Sequence, residues 1–538
     1  MENGTMNKIV LVGLSCVVAV GCGAYDEDGR YAEYPGPSDG GAPISADSAA
    51  PMSGDEVATP PGDRYEYVGT NPFVMAEHDP FSTFAADVDT ASYDIFRRDV
   101  TDGLLPARDS VRLEEYVNAF DYDYPAPAYD AEIPFTISLA AANHAMGREI
   151  TQLRVGIQAA TPPAFVKLPT NLIYLVDVSG SMGSEDKLPL AKLLMEYSLD
   201  VLDATDTVSI VTYSGSVGVA LPPTNATDRE TILGAIRPLN AAGSTAGGAA
   251  MDLAYAQAAA GYIDGGFNHV ILLTDGDFNV GVSSTEALVT MIEEKRRTGV
   301  TLTALGFGRG NLNDAMMERV SNAGNGTYSV ITSQAHAREY ADEALLAGVN
   351  LVAQDMKIQV EFNTDHVVAY RLLGYENRAI ADSDFRVDSV DAGEVGAGHR
   401  VTALYEVVLN GQSIPAIDGA PVATDGEPVE GTREIEASEF VQVRVRWKDL
   451  GASAEDAAYE TSQGLAPADV VQPADADPDF LWAASIAAFA EILKDSPFAQ
   501  HADLDRIETL TAAQATRDDD RARFVELFTA ARAMIPAP

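Results

Sequence analysis

The sequence is short of cysteine, of basic residues and of long apolar runs, and each shortage excludes a class of protein. Its only two cysteines, Cys16 and Cys22, lie near the N terminus, so a framework of internal disulfides is excluded for the remaining residues. The 35 Lys and Arg side chains stand against 81 Asp and Glu side chains, a net charge of −46, which repels nucleic acid and anionic lipid headgroups. No apolar run after residue 22 is long enough to span a membrane.

The acidic balance favours cationic partners, divalent metals and solubility. Adaptation of a whole proteome to salt would account for the same total equally well. A chain of 538 residues is also too long for one hydrophobic core and predicts three or four domains. Function therefore has to be inferred from local patterns rather than from composition.

The N-terminal segment has the features of an export signal. Lys8 precedes the apolar stretch IVLVGLSCVVAV, which has the length of a signal-peptide core and is too short to span a bilayer. Gly21-Cys22 with Ala19 resembles a bacterial lipobox, which predicts a signal peptide over 1–21 and a diacylated Cys22; an ordinary secretory signal cut nearby is the alternative. By analogy with known lipoproteins, the glycine after Cys22 favours the outer membrane, with the protein facing the periplasm or the cell surface. The membrane is then contacted only through the lipid anchor.

Residues 22–68 predict a flexible acidic tether. The segment is rich in Pro, Gly, Ser, Ala and Asp and has few large aliphatic side chains. Such a composition cannot bury enough apolar area to offset the entropy lost on ordering. Behind a lipidated cysteine, a tether would let a globular body stand off the membrane.

Strict alternation of apolar and polar residues marks two groups of strands, one on each side of the middle of the chain. It occurs at 133–139 and 153–157, and returns three times between 356 and 447. Alternation means that one face of a strand is buried and the other solvated, which is typical of antiparallel sheets. We therefore predict one β-sandwich, with its first part at 129–165 and its second part at 348–450, and this requires the two parts to share a core.

The stretch 166–347 between these parts has a different pattern. Its runs LIYLV, VSIVTY, HVILLT and TLTALGF are almost continuously apolar and alternate with helical segments, which is typical of parallel strands covered on both faces. The predicted fold is therefore α/β: a Rossmann-like domain with a central, mostly parallel sheet and helices on both faces, inserted in the antiparallel β-sandwich. Helical regions are predicted at 69–128 and 475–538. In the first of them, Asp87 and Asp89 are predicted to be helix-capping and surface groups.

One loop carries the residues best suited to chemistry. The stretch DVSGSMGSEDK follows the apolar run NLIYLV and places Asp177, Ser179 and Ser181 at the carboxyl end of the first parallel strand, where open α/β sheets bind ligands. One carboxylate and two hydroxyls are oxygen ligands that suit Mg²⁺ or a related hard cation. Thr245 in GSTAGGAAM, which opens a helix, and Asp275 in LLTDGDFN, which ends a strand, are the candidates for further ligands. Asp186, later in the loop, is predicted to be the N-cap of the next helix.

Several enzyme chemistries do not fit these residues. A phosphoaspartyl enzyme usually needs a second carboxylate two residues after Asp177, where Ser179 stands. A serine hydrolase needs a G-x-S-x-G elbow, which the sequence lacks, and the glycine-rich GFGRGN at 306–311 lacks the last glycine of a dinucleotide fingerprint. The spacings of His, Cys and carboxylates give no zinc motif, so we predict that the protein is not an enzyme and has no small-molecule substrate.

The D-x-S-x-S loop at Asp177, the glycine-rich helix start at Thr245 and the T-D-G turn at Asp275 together resemble a metal-ion-dependent adhesion site of von Willebrand factor A (VWA) domains. The wider stretches DPFSTFAADVDTASYDIFRR, FNHVILLTDGDFNVGV and LGFGRGNLNDAMMERVSNAGNGTYSVI are similar to YfbK-like bacterial VWA proteins, which carry an N-terminal associated region and a C-terminal domain of unknown function. The resemblance covers most of 69–450. It implies a bound divalent cation, which is expected to be Mg²⁺, with Mn²⁺ or Ca²⁺ as alternatives. Hydroxyl groups would bind this cation directly, and carboxylates would bind it directly or through water. The metal ligands implied are Asp177, Ser179, Ser181, Thr245 and Asp275.

Two functional hypotheses from different classes follow. In the first, the protein is a non-enzymatic adhesion or scaffolding lipoprotein of the bacterial cell envelope, whose cation takes an acidic side chain of a protein partner into its open coordination position. In the second, it is a structural envelope protein whose metal only stabilises the α/β domain. A third, an accessory to a metal-inserting or transport ATPase, fits the export signal poorly, because such relatives are normally cytoplasmic.

Overall fold

The computed structural model of the chain describes residues 62–536, except positions 87, 162–166, 244–247, 277–284, 346–350, 389, 391, 417–421, 424–433, 450–451 and 453–455. The predicted signal peptide, Cys22, most of the predicted tether and Thr245 lie outside the described residues. No helix in this described part is long and apolar enough to cross a membrane.

The described residues form strands and helices that are numbered separately in chain order. The strands, in chain order, are β1 (Phe73–Met75), β2 (Phe81–Ala85), β3 (Phe135–Asn143), β4 (Thr151–Ala159), β5 (Thr170–Asp177), β6 (Thr207–Tyr213), β7 (Val217–Asn225), β8 (Phe267–Thr274), β9 (Val300–Phe307), β10 (Tyr328–Ile331), β11 (Leu351–Phe362), β12 (Val367–Leu373), β13 (Gly393–Gly396), β14 (Arg400–Leu409), β15 (Val422–Ala423), β16 (Val441–Lys448) and β17 (Tyr459–Leu465). The helices are α1 (Ala91–Thr101), α2 (Leu113–Asn118), α3 (Leu188–Ser198), α4 (Arg229–Ile236), α5 (Gly248–Ala260), α6 (Thr285–Arg296), α7 (Asp314–Ala323), α8 (Gln334–Glu339), α9 (Pro478–Lys494), α10 (Leu504–Ala512) and α11 (Asp519–Met534).

The α/β domain is built on one sheet with the strand order β10-β9-β8-β5-β6-β7. All neighbouring pairs are parallel except the edge pair of β6 and β7, which is antiparallel. Because β5 and β8 are buried along both faces, each face of the sheet has a hydrophobic core of its own. The prediction of a mostly parallel sheet covered on both faces is confirmed.

The two groups of alternating strands form a single sandwich. One of its sheets has the order β15-β1-β12-β14-β4-β3, and the other has β13-β11-β16-β17 with β2 paired to β11. β4 pairs antiparallel with β14, and Val155 lies opposite Ala403. Their buried side chains share a core with Val360 and Val443 of the other sheet. The chain therefore leaves the sandwich after β4, forms the α/β domain and returns at β11, so the predicted insertion is confirmed.

The first part of the predicted helical region belongs to the sandwich. β2 pairs with β11, with Phe84 opposite Ile358, and β1 pairs with β12. Strands of three and five residues are too short to show a clear period in the sequence. Asp89, predicted to be a surface group, is buried, and its carboxylate accepts hydrogen bonds from Tyr328 N at 2.8 Å and Arg378 Nη2 at 2.7 Å. That prediction was wrong, because this carboxylate joins the N-terminal region to the α/β domain and the sandwich.

The C-terminal helices pack on α1 and α2 to form an aromatic core. α9 begins after Asp477, whose side chain accepts a hydrogen bond from Phe480 N at 2.7 Å, and Pro478 occupies the first turn. Its apolar side chains are buried, and Trp482 and Phe489 contact Phe524 of α11 at ring-centroid distances of 5.4 and 5.8 Å. The N-terminal and C-terminal helices therefore form one cluster.

Candidate metal-binding site

The loop that follows β5 lies at the centre of the parallel sheet. β5 pairs with β6 on one side, where Asp177 is opposite Tyr213, and with β8 on the other, where Val176 is opposite Leu273. Strand order changes direction at β5, and the crevice above such a point is where open α/β sheets bind ligands. Because β5 and β8 are parallel neighbours, their carboxyl ends bring Asp177 and Thr274 to the same edge.

Asp177 is fully buried and its two oxygens are oriented by the protein. Oδ1 accepts a hydrogen bond from Ser179 N at 2.8 Å, and Oδ2 accepts one from Thr274 Oγ1 at 3.2 Å. Burial raises the pKa of this carboxyl from 3.8 to about 6, against the hydrogen bonds from Ser179, which lower it. A nearby cation would favour the ionised form, as metal ligation requires.

The two serines of the motif lie together beside this carboxylate. Ser179 Oγ and Ser181 Oγ are 2.9 Å apart, within hydrogen-bond distance. Gly180 N donates to Gly243 O at 3.1 Å, and a Cβ atom on Gly180 would come within 3.4 Å of that oxygen. This close backbone approach brings the segment that precedes Thr245 to the loop. Thr245 itself lies outside the described residues, so its role as a ligand stays a prediction.

Asp275 follows β8 and is also buried, but it has a cationic partner that the sequence did not suggest. Lys187 Nζ lies 3.0 Å from Asp275 Oδ2 and donates a second hydrogen bond to Asn311 Oδ1 at 2.7 Å. Lys187 ends the stretch DVSGSMGSEDK and Asn311 ends GFGRGN, but neither was predicted to contact the site. No local pattern in the sequence indicates this contact, because Lys187 and Asp275 are 88 residues apart.

The predicted capping role of Asp186 was wrong. α3 begins at Leu188 after Lys187, with no side-chain cap, and the Asp186 carboxylate instead accepts a hydrogen bond from Ser184 Oγ at 2.5 Å. A capping side chain normally bonds the N–H of the second or third helical residue. The second residue is Pro189, which has no N–H to offer.

The described donors fit a hard divalent cation in their chemistry. Asp177, Ser179, Ser181 and Asp275 supply only oxygen, the ligand that Mg²⁺, Mn²⁺ and Ca²⁺ prefer. Among the described residues no group of three or more His, Cys, Asp and Glu side chains could hold a metal. The two carboxylates of this site would therefore need the serine hydroxyls as further ligands to hold an ion. An ion held in this way could accept one more oxygen ligand from outside the loop.

The N-terminal end of the described chain is attached next to this site. Asp63 Oδ1 accepts hydrogen bonds from Gly310 N at 2.7 Å and Leu312 N at 3.1 Å, and Oδ2 pairs with Arg98 Nη2 at 2.9 Å. The loop that they hold also contains Asn311. Residues 62–65, which the sequence assigned to the predicted tether, therefore contact the folded body.

Family models match consecutive parts of the chain. The model described as "von Willebrand factor type A domain" matches residues 171–343, the α/β domain. The model described as "von Willebrand factor" matches residues 59–153, and the model described as "Uncharacterized protein YfbK, C-terminal" matches residues 347–534. The three matches cover the inserted domain and the regions on both sides of it.

Known proteins resemble the chain over different lengths. "Uncharacterized protein YfbK" of Escherichia coli (strain K12) is 36% identical over 476 residues, which are 86% of this chain and 80% of the relative. "Uncharacterized protein sll0103" of Synechocystis is 27% identical over 35% of this chain and 43% of the relative. Among solved structures, a von Willebrand factor type A protein from Catenulispora acidiphila has 17% identity and a TM-score of 0.42, and the match covers 76% of this chain and 91% of that one.

Proposed function

The chain belongs to the family of YfbK-like von Willebrand factor A proteins, and from this membership we propose that it is a metal-dependent protein-binding lipoprotein of the bacterial cell envelope. A VWA domain indicates a role in protein interaction in general. The finer proposal is that a divalent cation at the loop after β5 takes a carboxylate of a protein partner as a ligand.

The observation that carries the proposal is the convergence of Asp177, Ser179 and Ser181 at the switch point of the sheet. The carboxylate is buried and held by the N–H of Ser179, while the two hydroxyls contact each other. This arrangement prepares oxygen ligands in advance, so a bound ion would need little further ordering of the loop. Thr245 and Asp275 would complete the ligand set, with Mg²⁺ as the expected ion.

We further propose that the protein is not an enzyme. The hydrogen bonds described for the hydroxyls of Ser179 and Ser181 are with each other and with Asp177, and none of them involves a histidine that could act as a general base. Ligand binding without bond breaking is then the chemistry that the loop supports.

The proposed location rests on the N-terminal sequence. An export signal followed by Cys22 would place the folded body on the outer side of a membrane, anchored by lipid. The net charge of −46 agrees with a body that is repelled by anionic headgroups and contacts the membrane only through the anchor.

The pair formed by Lys187 and Asp275 favours a second candidate function. Because the ammonium group partly neutralises the site without an ion, the domain could be a structural part of the envelope, with no metal-dependent partner. In this alternative the metal would only add stability by mass action.

Affinity capture from the envelope fraction separates the two functions. We expect the full chain to retain a protein partner in Mg²⁺ and to release it in EDTA, and Ser179→Ala to retain little of it even in Mg²⁺. Ser184→Ala is a matched control, because Ser184 contacts Asp186 outside the ligand set. Capture that survives both EDTA and Ser179→Ala would contradict the proposal.

A further inference from the structure

Lys187 presents a buried positive charge at the proposed cation site. The residue is 6% exposed, although lysine side chains normally keep their ammonium group in water. Its Nζ lies between Asp275 Oδ2 at 3.0 Å and Asn311 Oδ1 at 2.7 Å. The proposed ligand carboxylate therefore already has a cationic partner supplied by the chain itself.

The backbone of the neighbouring loop holds the lysine stem in this place. Gly308 has a φ of +69°, and a Cβ atom added to it would lie 2.4 Å from Cγ and 2.5 Å from Cε of Lys187. Glycine is therefore needed both for the left-handed conformation and for the space that the stem occupies. Arg98 Nη1 also donates to Gly308 O at 2.8 Å, so a second segment fixes the loop.

We propose that Lys187 is a built-in competitor of the divalent cation, which lowers the affinity of the site by neutralising Asp275. This inference rests on the proposed function, because it needs the cation site to exist. An ammonium group and a metal ion that share one buried carboxylate repel each other more strongly than they would in water, since the protein interior screens charges weakly. The lysine therefore allows the apo protein to bury Asp275, and it makes the cation bind weakly.

A purely structural lysine predicts the opposite effect of removing its charge. If Lys187 only positioned Asp275 and Asn311, its replacement would loosen the ligands and weaken metal binding. If Lys187 competes with the ion, its replacement tightens metal binding while the apo protein becomes less stable, because the ion pair between Lys187 and Asp275 is lost. A gain of affinity is thus a readout that a positioning role would not produce.

The test is isothermal titration of the purified full chain with Mg²⁺ and, separately, with Mn²⁺. We expect Lys187→Met and Lys187→Gln to bind each ion about tenfold more tightly than the unmodified protein. Lys187→Met retains an apolar stem against Gly308, and Lys187→Gln retains a donor for Asp275, so a folding defect in one variant leaves the other to decide. Lys192→Met is the matched control, because Lys192 lies on α3, which Lys187 directly precedes, but donates to the carbonyls of Arg237 and Leu239. It should leave the affinity unchanged.

Melting curves in EDTA and in Mg²⁺ give a second readout. Each Lys187 variant should melt below the unmodified protein in EDTA and gain more from Mg²⁺. Equal or weaker binding by both variants, with binding by the unmodified protein intact, would overturn the role of Lys187 and leave the proposed function standing. If neither the unmodified protein nor the variants bind an ion, both proposals fail.

Discussion

Buried charges are paired very differently in two regions of the molecule. Where the N-terminal helices meet the α/β domain, Arg112 is buried and contacts the carboxylates of Glu115, Asp314 and Glu318. In the candidate site, Asp177 accepts hydrogen bonds but forms no ion pair with any described residue. A buried charge is costly unless it is paired, so the arginine is stabilised by the fold alone, whereas the carboxylate is where we propose that a cation binds.

The largest expected effect on stability is that of replacing the buried, fully paired Arg112. Arg112→Met should lower the free energy of unfolding by about 3–5 kcal/mol, because three carboxylates are left in the interior without their shared cation. Arg112 joins α2 to α7 through Asp314, whose Oδ1 accepts from Nη2 at 3.1 Å. Urea denaturation measures the loss. A change below 1 kcal/mol would show that the carboxylates find other partners or become protonated at little cost.

Asp94 is intermediate, because one cation, Arg97, lies near it without close contact. His336 Nε2 and Arg97 Nη1 are 3.6 and 3.8 Å from Asp94 Oδ1, and burial raises the pKa of the carboxyl from 3.8 to about 7. A raised pKa favours folding below pH 3.8, and this contribution is lost as the pH rises through about 7. Asp94→Asn removes the titration, so the free energy of unfolding of this variant relative to the unmodified protein should rise by about 2–3 kcal/mol between pH 5 and pH 8.

Urea denaturation of both proteins at the two pH values tests this expectation. Burial lowers the pKa of the His336 imidazole to about 3, so this side chain is neutral in both folded proteins over this range, and its titration in the unfolded state cancels when the two proteins are compared. Arg97→Met is an informative companion variant, since removal of this cation should raise the pKa of Asp94 further. A pH-independent difference between Asp94→Asn and the unmodified protein would show that Asp94 stays ionised across the range.

At the candidate site, removal of a charge should increase stability and abolish binding. Asp177→Asn can still accept the N–H of Ser179 and no longer buries a charge, so the metal-free protein should gain about 1 kcal/mol. The shift of the melting temperature by Mg²⁺ should disappear, because the central ligand is lost. Scanning calorimetry with and without Mg²⁺ measures both. A variant that is less stable without metal, or that keeps its Mg²⁺ shift, would remove Asp177 from the proposed ligand set.

The sequence predicted the elements of the site better than the contacts between them. Strand ends placed Asp177 and Asp275 at one edge, because parallel neighbours share the direction of their carboxyl ends. Lys187 was missed because no local pattern shows that a lysine reaches a carboxylate 88 residues away. The burial of Asp89 was missed for the same reason, because its contacts with Arg378 and Tyr328 are tertiary and its neighbours in the sequence do not indicate them.

The same dependence on local patterns explains which parts of the fold could be predicted from the sequence. Long alternating or apolar runs gave the inserted domain and the sandwich, since the period of a strand is a local property. β1 and β2 are too short to show that period, and β17 is largely exposed, with little apolar pattern to detect. β2 pairs with β11, which lies far away in the sequence. β17 pairs with β16, and no sequence pattern indicates that pairing.

The smallest effect should come from an arginine only four positions before Arg112. Arg108 is 67% exposed and pairs with Asp495, which is 62% exposed, at 2.6 Å. Water solvates both groups when the pair is broken, so Arg108→Met should change the free energy of unfolding by no more than about 0.5 kcal/mol. Urea denaturation beside Arg112→Met makes the comparison within one short segment. A loss similar to that of Arg112→Met would mean that segment identity, rather than burial of the charge, sets the cost, and the same reasoning would then no longer single out Asp177.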